Sequence, residues 1–228
     1  MFPKYEMKQE TTLETIQKII KTIKPDKLSL IIRHSERYFH EDSAKEPFME
    51  LTENGKNQAV KLGLSLAEKP SPKFFTSPIG RCIETAYLID KGHFQKYGKV
   101  NNNATICPDL APFYIQDIKQ AISMVQDKGT DVFLRSWFDN KISEDIMLNP
   151  ETASKKIVLF MKKELAQIKK NEMGIFVSHD WNIFPVKEFF LGLRHETNGA
   201  VGYLESVFLF EKDNNFYLAN HQKDAVKI

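Results

Sequence analysis

The sequence has few cysteines, little net charge and no long hydrophobic run, and each shortage excludes a class of protein. Cys82 and Cys107 are the only cysteines among 228 residues, which is too few for the disulfide framework of a small secreted domain. The formal net charge is +2, so no overall field attracts nucleic acid or an anionic membrane. No apolar run reaches the roughly 20 residues of a membrane span, and the first residues lack the apolar segment of a signal peptide. We expect a soluble, cytoplasmic protein with no nucleic-acid or membrane partner.

The motifs of several phosphate-handling enzymes are also missing. Neither cysteine is followed six residues later by arginine, so the loop of a cysteine-dependent phosphatase is absent. The sequence contains no Gly-x-x-x-x-Gly-Lys nucleotide loop and no Asp-x-Asp pair for an aspartyl-phosphate enzyme. No group of His, Cys, Asp and Glu residues has the spacing of a standard metal site. We therefore expect neither a metal ion nor a cofactor.

Strand-like and helix-like segments alternate through most of the chain. Strands are predicted at 28–33, 74–77, 105–107 and 174–178, and in a hairpin around 213–215. Helices are predicted at 12–24, 116–126, 149–170 and 181–191, and after positions 52 and 77. This alternation is typical of a three-layer α/β/α sandwich with a mostly parallel, mixed sheet. We expect a single domain over 1–228, with an N-terminal helix in 1–25 and an inserted cap at about 92–149.

Four helix starts carry capping signals. Thr11 is followed three residues later by Glu, as in a capping box, and Thr52 precedes another helical pattern. Ser77 and Asn149 are each followed by proline, which is favoured at the first helical position. The sequence therefore predicts helices that begin directly after these four residues.

Polar turns that carry histidine follow two of the predicted strands. Strand 28–33 leads into His34, and strand 174–178 leads into His179 and Asp180. Ligands of open α/β sheets bind beyond the carboxyl ends of the strands. A third strand leads within one helical turn to Arg81, so we expect all these side chains in one crevice.

This set of side chains suits a phosphate monoester. Arginine guanidiniums bind phosphate oxygens through paired hydrogen bonds and stay charged at physiological pH, and Arg33, Arg37 and Arg81 would supply three of them. A neutral imidazole can attack phosphorus and form a covalent intermediate. A second imidazole can stabilise the transferring oxygens, and a carboxyl group can protonate the leaving oxygen.

Four motifs in order along the chain resemble the histidine phosphatase superfamily, which includes cofactor-dependent phosphoglycerate mutases, acid phosphatases and phytases. The opening Arg-His motif matches Arg33 and His34, and the Ser-Pro-x-x-Arg motif matches SPIGRCIETA, which contains Arg81. The stretch LTENGKNQA between them is similar to a family helix, and FVSHD matches the late motif, with His179 as the second histidine. The resemblance implies a phosphoglycerate mutase-like fold, His34 as the nucleophile and two phosphate-binding arginines.

Resemblance to the acid phosphatase branch implies two further roles. That branch has Arg-His-Gly-x-Arg and a late His-Asp pair, and Arg37 and Asp180 stand at these places as a phosphate ligand and the proton donor. The mutase-like branch takes its acid from a Glu after the third strand, and CPDLAPFY has no carboxylate after Leu110. Asp109 and Glu36 stay open as alternative donors. Chain size and the compact SPIGR motif resemble the mutase-like branch, so the sequence combines both patterns.

Structural roles compete with some of these assignments. Arg37 can pair with a carboxylate on a solvated loop, and Asp180 can cap the helix that follows it. Ser35 stands where the family has Gly, so its Cβ can crowd the phosphate or tilt the loop. Aromatic residues of the cap can contact substrate or form an apolar core: Phe113, Tyr114, Trp137 and Phe138.

The expected function is metal-independent hydrolysis of a small-molecule phosphomonoester through a phosphohistidine. Two alternatives stay open. A phosphomutase of the phosphoglycerate mutase type would return the phosphoryl group to its substrate. A binding module would recognise phosphorylated ligands without turning them over. Specificity is expected to lie in the cap.

Overall fold

The computed structural model describes residues 5–42, 45–101 and 104–228, in which seven strands form one sheet. The strands are β1 (Lys27–Arg33), β2 (Ser71–Thr76), β3 (Thr105–Ile106), β4 (Glu172–Ser178), β5 (Ser206–Lys212), β6 (Asn215–Asn220) and β7 (Lys223–Lys227). The helices are α1 (Gln9–Lys18), α2 (Glu53–Ser65), α3 (Gly80–Tyr97), α4 (Ile118–Lys128), α5 (Thr130–Phe138), α6 (Pro150–Gln167), α7 (Asp180–Leu191) and α8 (His195–Asn198). None of the helices in these ranges combines the length and hydropathy of a membrane-spanning segment.

The sheet has a parallel half and an antiparallel half, in the order β3-β2-β4-β1-β5-β6-β7. Strands β3, β2, β4 and β1 run parallel to one another, and β5, β6 and β7 each run antiparallel to the strand before them in the sheet. The register places Arg33 of β1 beside Ser178 of β4 and Thr76 of β2 beside Val177. The carboxyl ends of three adjacent parallel strands therefore meet at one edge.

Each face of the sheet is covered by helices. Successive side chains of a strand point to opposite faces, so Leu30 and Ile32 pack with α1, α2 and α3. Ile31 packs on the other face with α6, α7 and residues 107–149. Burial on both faces explains why β1 is apolar throughout and does not alternate. The predicted mixed α/β sandwich is confirmed.

Two of the four predicted helix starts are present as expected. The hydroxyl of Thr52 accepts a hydrogen bond from the Gly55 N–H at 2.9 Å, and the side chain of Asn149 accepts one from the Thr152 N–H at 3.0 Å. These local signals are sufficient to predict the two helix starts, because each capping side chain bonds to a backbone N–H only three residues away.

The other two predicted helix starts are wrong. Helix α1 begins at Gln9 and not after Thr11, because the Lys8 N–H is bonded to the Tyr203 carbonyl at 2.7 Å and the helix begins where this pairing ends. Helix α3 begins at Gly80 and not after Ser77, with Ile79 in the capping position. A tertiary partner takes the Ser77 hydroxyl instead, as described below.

The weakly patterned middle of the chain contains more regular structure than the sequence indicates. Helix α3 continues through Gly92 to Tyr97, and β3 joins the main sheet. The segment between β3 and α6 is therefore 107–149. It contains α5, for which the sequence carries no clear local signal. Its aromatic residues form an apolar core and lie in the same cluster as α6 and α7: Tyr114, Phe133, Trp137 and Phe138.

Candidate active site

The predicted site residues follow the adjacent strand ends. His34 comes directly after β1, and His179 comes directly after β4. Their rings are 5.6 Å apart between centroids and meet edge to face. Ser77, directly after β2, lies within hydrogen-bond distance of His179. The parallel register therefore brings together residues that are more than 100 positions apart in the chain.

His34 is held in one tautomer by its two neighbours. Its Nδ1 lies 2.8 Å from the Ser35 carbonyl oxygen, which can only accept, so Nδ1 carries the proton. Its Nε2 accepts from the Arg81 Nε–H at 3.0 Å. Burial, and next the guanidinium of Arg81, hold the His34 pKa well below its usual value of 6.5. The ring is therefore neutral, with a lone pair on Nε2, as a nucleophile requires.

His179 is neutral for similar reasons. A terminal nitrogen of Arg81 lies 3.3 Å from its Nδ1, so Nε2 carries the proton and donates to the Ser77 hydroxyl at 3.0 Å. Burial first and Arg81 second lower its pKa well below 6.5. The Ser77 hydroxyl therefore holds the second histidine and also accepts, at 3.4 Å, from the Ile79 N–H just before α3.

Arg81 connects both histidines to the loop above them. Besides its bonds to His34 and His179, it donates to the backbone carbonyls of Glu46 and Pro47 at 3.2 and 3.3 Å. One guanidinium therefore contacts both imidazoles. The oxygens of a transferring phosphoryl group would lie between the guanidinium and the two rings.

Arg33 is almost fully buried between two aromatic rings. Its guanidinium carbon lies 4.0 Å from the ring centre of Tyr5 and 4.3 Å from that of Tyr203, a favourable arrangement for a cation. Its terminal nitrogens bond to the Val201 carbonyl at 2.6 Å and to the Asp180 carboxylate at 3.0 Å. Its Nε–H is buried without a hydrogen-bond partner among the described residues.

Arg37 lies at the rim of the same site. It forms an ion pair with Glu46 and donates to the Tyr38 carbonyl at 2.8 Å, while its guanidinium covers the Phe39 ring at 4.2 Å. The side chain is mostly buried, so the arginine is not on a fully solvated loop. Its Nε–H is also buried without a partner in the described part of the chain.

The side chain of Ser35 is bonded to the backbone of α2. Its hydroxyl donates to the Gly55 carbonyl at 2.7 Å, and its N–H donates to the Thr85 hydroxyl at 3.1 Å. Gly55 itself needs to lack a side chain, because a Cβ there would lie 2.2 Å from the Glu36 carbonyl oxygen. The side chain of Ser35 thus points to α2, away from the phosphate-binding groups.

The three candidate proton donors occupy different surroundings. Asp180 bonds to Arg33 inside the site and also accepts from the Trp181 N–H at 2.9 Å. It is the first residue of α7, with His179 in the capping position, so it does not cap the helix. Glu36 accepts from Thr52 and Asn54 at the start of α2. Asp109 is exposed and lines a separate surface groove.

Several residues around the site carry no local sequence signal. Tyr5 and Tyr203 stand in no motif, yet their rings enclose Arg33. Lys187 and Glu205 form a buried ion pair of 2.7 Å, and Glu205 lies two residues after Tyr203. These partners are distant in the chain, so only the fold brings them together.

A mixed sheet with a buried, arginine-bound histidine pair at its parallel strand ends defines a phosphoglycerate mutase-like α/β protein. A phosphoglycerate mutase from Bacillus anthracis str. Sterne superposes with a TM-score of 0.56 at 17% identity, covering 86% of this chain and 93% of that chain. A mycobacterial glucosyl-3-phosphoglycerate phosphatase gives 0.55 at 15% identity, with 85% and 97% covered. A phosphoserine phosphatase mutant from Entamoeba histolytica gives 0.52 at 13%, with 85% and 95% covered.

One family model matches part of this chain. Residues 29–106 match the family model described as histidine phosphatase superfamily (branch 1), which confirms the recognition made from the motifs. The matched range contains Arg33, His34 and Arg81, whereas His179 and Asp180 lie beyond it. No curated protein is matched by this chain. Family and fold together support an enzyme of phosphatase or mutase type.

Proposed function

We propose that this chain is a metal-independent phosphomonoester hydrolase that works through a phosphohistidine. The observation that carries the proposal is the state of His34, a buried neutral ring whose unprotonated Nε2 is bound to Arg81 at 3.0 Å. A nucleophile and an oxygen-binding cation at this distance suit attack on a phosphoryl group.

The first half of the reaction transfers the phosphoryl group to the enzyme. The lone pair of His34 Nε2 forms a bond to phosphorus as the ester P–O bond breaks. Asp180, whose carboxylate is paired with Arg33, first takes up a proton and gives it to the departing alkoxide. Arg81 exchanges its bonds to the imidazoles for bonds to phosphoryl oxygens. On substrate binding, Arg33 and Arg37 turn their Nε–H groups, which are buried without partners among the described residues, to the remaining oxygens. His179, which is bonded to Arg81, stabilises the developing charge.

The second half releases phosphate. Water attacks phosphorus in phospho-His34 as the N–P bond breaks, and the carboxylate of Asp180 takes the proton from that water. His34 returns to its neutral form and inorganic phosphate leaves. A phosphomutase would instead return the phosphoryl group to substrate, and similar folds include both a mutase and phosphatases.

Hydrolysis by the unaltered protein tests the proposal. We expect it to hydrolyse 4-nitrophenyl phosphate in the presence of EDTA and to form an acid-labile, base-stable phosphoenzyme when quenched during turnover. Vanadate should compete with the ester. Activity that EDTA abolishes would contradict a metal-independent route. Vanadate binding without any turnover would support a binding module, and exchange of label between two positions of a substrate would support a mutase.

The identity of the proton donor is tested by three matched variants. We expect Asp180→Asn to lower kcat/KM for an alkyl phosphate by about 100-fold and kcat/KM for 4-nitrophenyl phosphate by only a few-fold, because nitrophenolate leaves without a proton and kcat/KM reports the first half of the reaction alone. Asp109→Asn and Glu36→Gln should show no such dependence on the leaving group. A leaving-group dependence in either of those variants would transfer the role to that residue.

A further inference from the structure

A cavity of about 510 Å³ lies beside the candidate active site. One side is aromatic and apolar, and the end of α4 and the start of α5, with Lys128, Thr130 and Asp131, form its polar side. The lining residues include Tyr5, Thr130, Leu134, Trp181, Phe184 and His195. The His195 side chain is 7% exposed and its ring meets Phe184 edge to face at 5.6 Å, so this end of the cavity is fixed by packing.

Two of the lining residues connect the cavity to the phosphoryl-binding groups. Trp181 directly follows Asp180, the proposed proton donor. Tyr5 lines the cavity and also lies 4.0 Å from the guanidinium of Arg33. A substrate whose phosphoryl group lies on Arg33 can therefore extend its leaving group past Tyr5 into this space.

Tyr5 belongs to a segment that precedes the matched family range of 29–106. The backbone around it is fixed by hydrogen bonds from the Lys8 N–H to the Tyr203 carbonyl at 2.7 Å and from the Tyr203 N–H to the Glu6 carbonyl at 2.8 Å. The Tyr5 ring also packs edge to face on the Tyr203 ring at 5.6 Å. Tyr5 is therefore a fixed part of the cavity wall.

We propose that this cavity binds an aromatic leaving group, so that the substrates are phosphomonoesters of aromatic or arylmethyl alcohols. The inference rests on the proposed hydrolase function. Tyr5, Trp181 and Phe184 offer faces and edges on which an aromatic ring packs favourably, and the volume is within the range of small-molecule sites. Thr130 can bond to a polar substituent of the ring.

Benzyl phosphate and propyl phosphate separate leaving-group binding from chemistry, because their alkoxides have similar basicity. We expect kcat/KM for benzyl phosphate to exceed that for propyl phosphate by at least about tenfold. Trp181→Leu should reduce this ratio to within about threefold and leave propyl phosphate hydrolysis nearly unchanged. Phe189→Leu removes an aromatic ring from the same helix outside the cavity, and it should preserve the ratio.

Three outcomes would overturn the inference. Equal kcat/KM for the two esters would reject the aromatic subsite and leave the hydrolase function intact. If Trp181→Leu lowered kcat/KM equally for both esters, Trp181 would act through Asp180 and not by binding the leaving group. Hydrolysis of neither ester, with no phosphoenzyme formed, would reject the proposed function together with the subsite.

Discussion

Replacing His34 with Ala is expected to lower phosphomonoester hydrolysis by at least about 10⁴-fold, as loss of a catalytic nucleophile does elsewhere. In the proposed mechanism no other described side chain can take its place. His179 is the nearest imidazole, but its Nε2 donates to Ser77 and its Nδ1 faces Arg81. Steady-state kinetics with 4-nitrophenyl phosphate, together with phosphoenzyme trapping, measures the loss.

His93→Ala is the matched control for this variant. His93 is 1% exposed and His34 is 2% exposed, so each substitution removes a buried imidazole. His93 bonds to the Ala67 carbonyl at 3.2 Å and lies 12 residues beyond Arg81 on α3, roughly 18 Å along the helix. We expect His93→Ala to lower stability but to keep turnover in the folded fraction. Phosphoenzyme formation by His34→Ala would refute His34 as the nucleophile.

Replacing Lys187 with Met is expected to lower the free energy of unfolding by about 3–5 kcal/mol, which is typical when a buried ion pair loses one partner. The side chains of Lys187 and Glu205 are each 2% exposed and lie 2.7 Å apart. Without the ammonium group, the Glu205 carboxylate would keep the Gly202 N–H bond of 2.7 Å but remain buried with only the ring of His221, 3.9 Å away, beside it. Urea unfolding followed by circular dichroism measures the change.

An exposed pair of the same length provides the comparison. Lys155 and Glu151 are also 2.7 Å apart, but their side chains are 66% and 56% exposed. Lys155→Met should therefore change the free energy of unfolding by about 0.5 kcal/mol or less. Adding Glu205→Gln to Lys187→Met should recover much of the lost stability, because the uncompensated charge is then removed. If Lys187→Met lowered the free energy of unfolding by no more than the exposed control does, this account would be contradicted.

The buried pair also supports the site. The backbone carbonyl of Glu205 accepts from the Arg33 N–H at 3.0 Å, and the Val201 carbonyl accepts from its guanidinium at 2.6 Å. Glu205 thus fixes the segment that positions Arg33 and presents the Tyr203 ring. Activity should fall in Lys187→Met even in the fraction that stays folded, because the guanidinium loses this support.

Local signals in the sequence determined the sheet strands that carry the site and the chemistry at their ends. The apolar runs of β1 and β4 end in Arg33-His34 and in His179-Asp180, a change of residue type that is visible in the sequence itself. Arg81 follows β2 within one helical turn. Thr52 and Asn149 were predictable as caps because their hydrogen bonds close within three residues. Each of these features depends on neighbours in the chain.

Contacts between distant segments were decided by the tertiary structure alone. Ser77 bonds to His179 at 3.0 Å instead of capping α3, and Lys8 pairs with Tyr203 so that α1 begins before Thr11. Strand β7 and helix α5 have weak patterns of their own and are stabilised by packing on neighbours that the sequence does not reveal.

The sequence by itself determined which residues are candidates for phosphoryl transfer, because histidine, arginine and aspartate side chains have the functional groups that this reaction needs. The tertiary structure decided their states and surroundings. Burial keeps both imidazoles neutral, and Tyr5 and Tyr203 enclose Arg33 from opposite ends of the chain. Burial and long-range contacts depend on how the whole chain packs, so no local pattern could specify them.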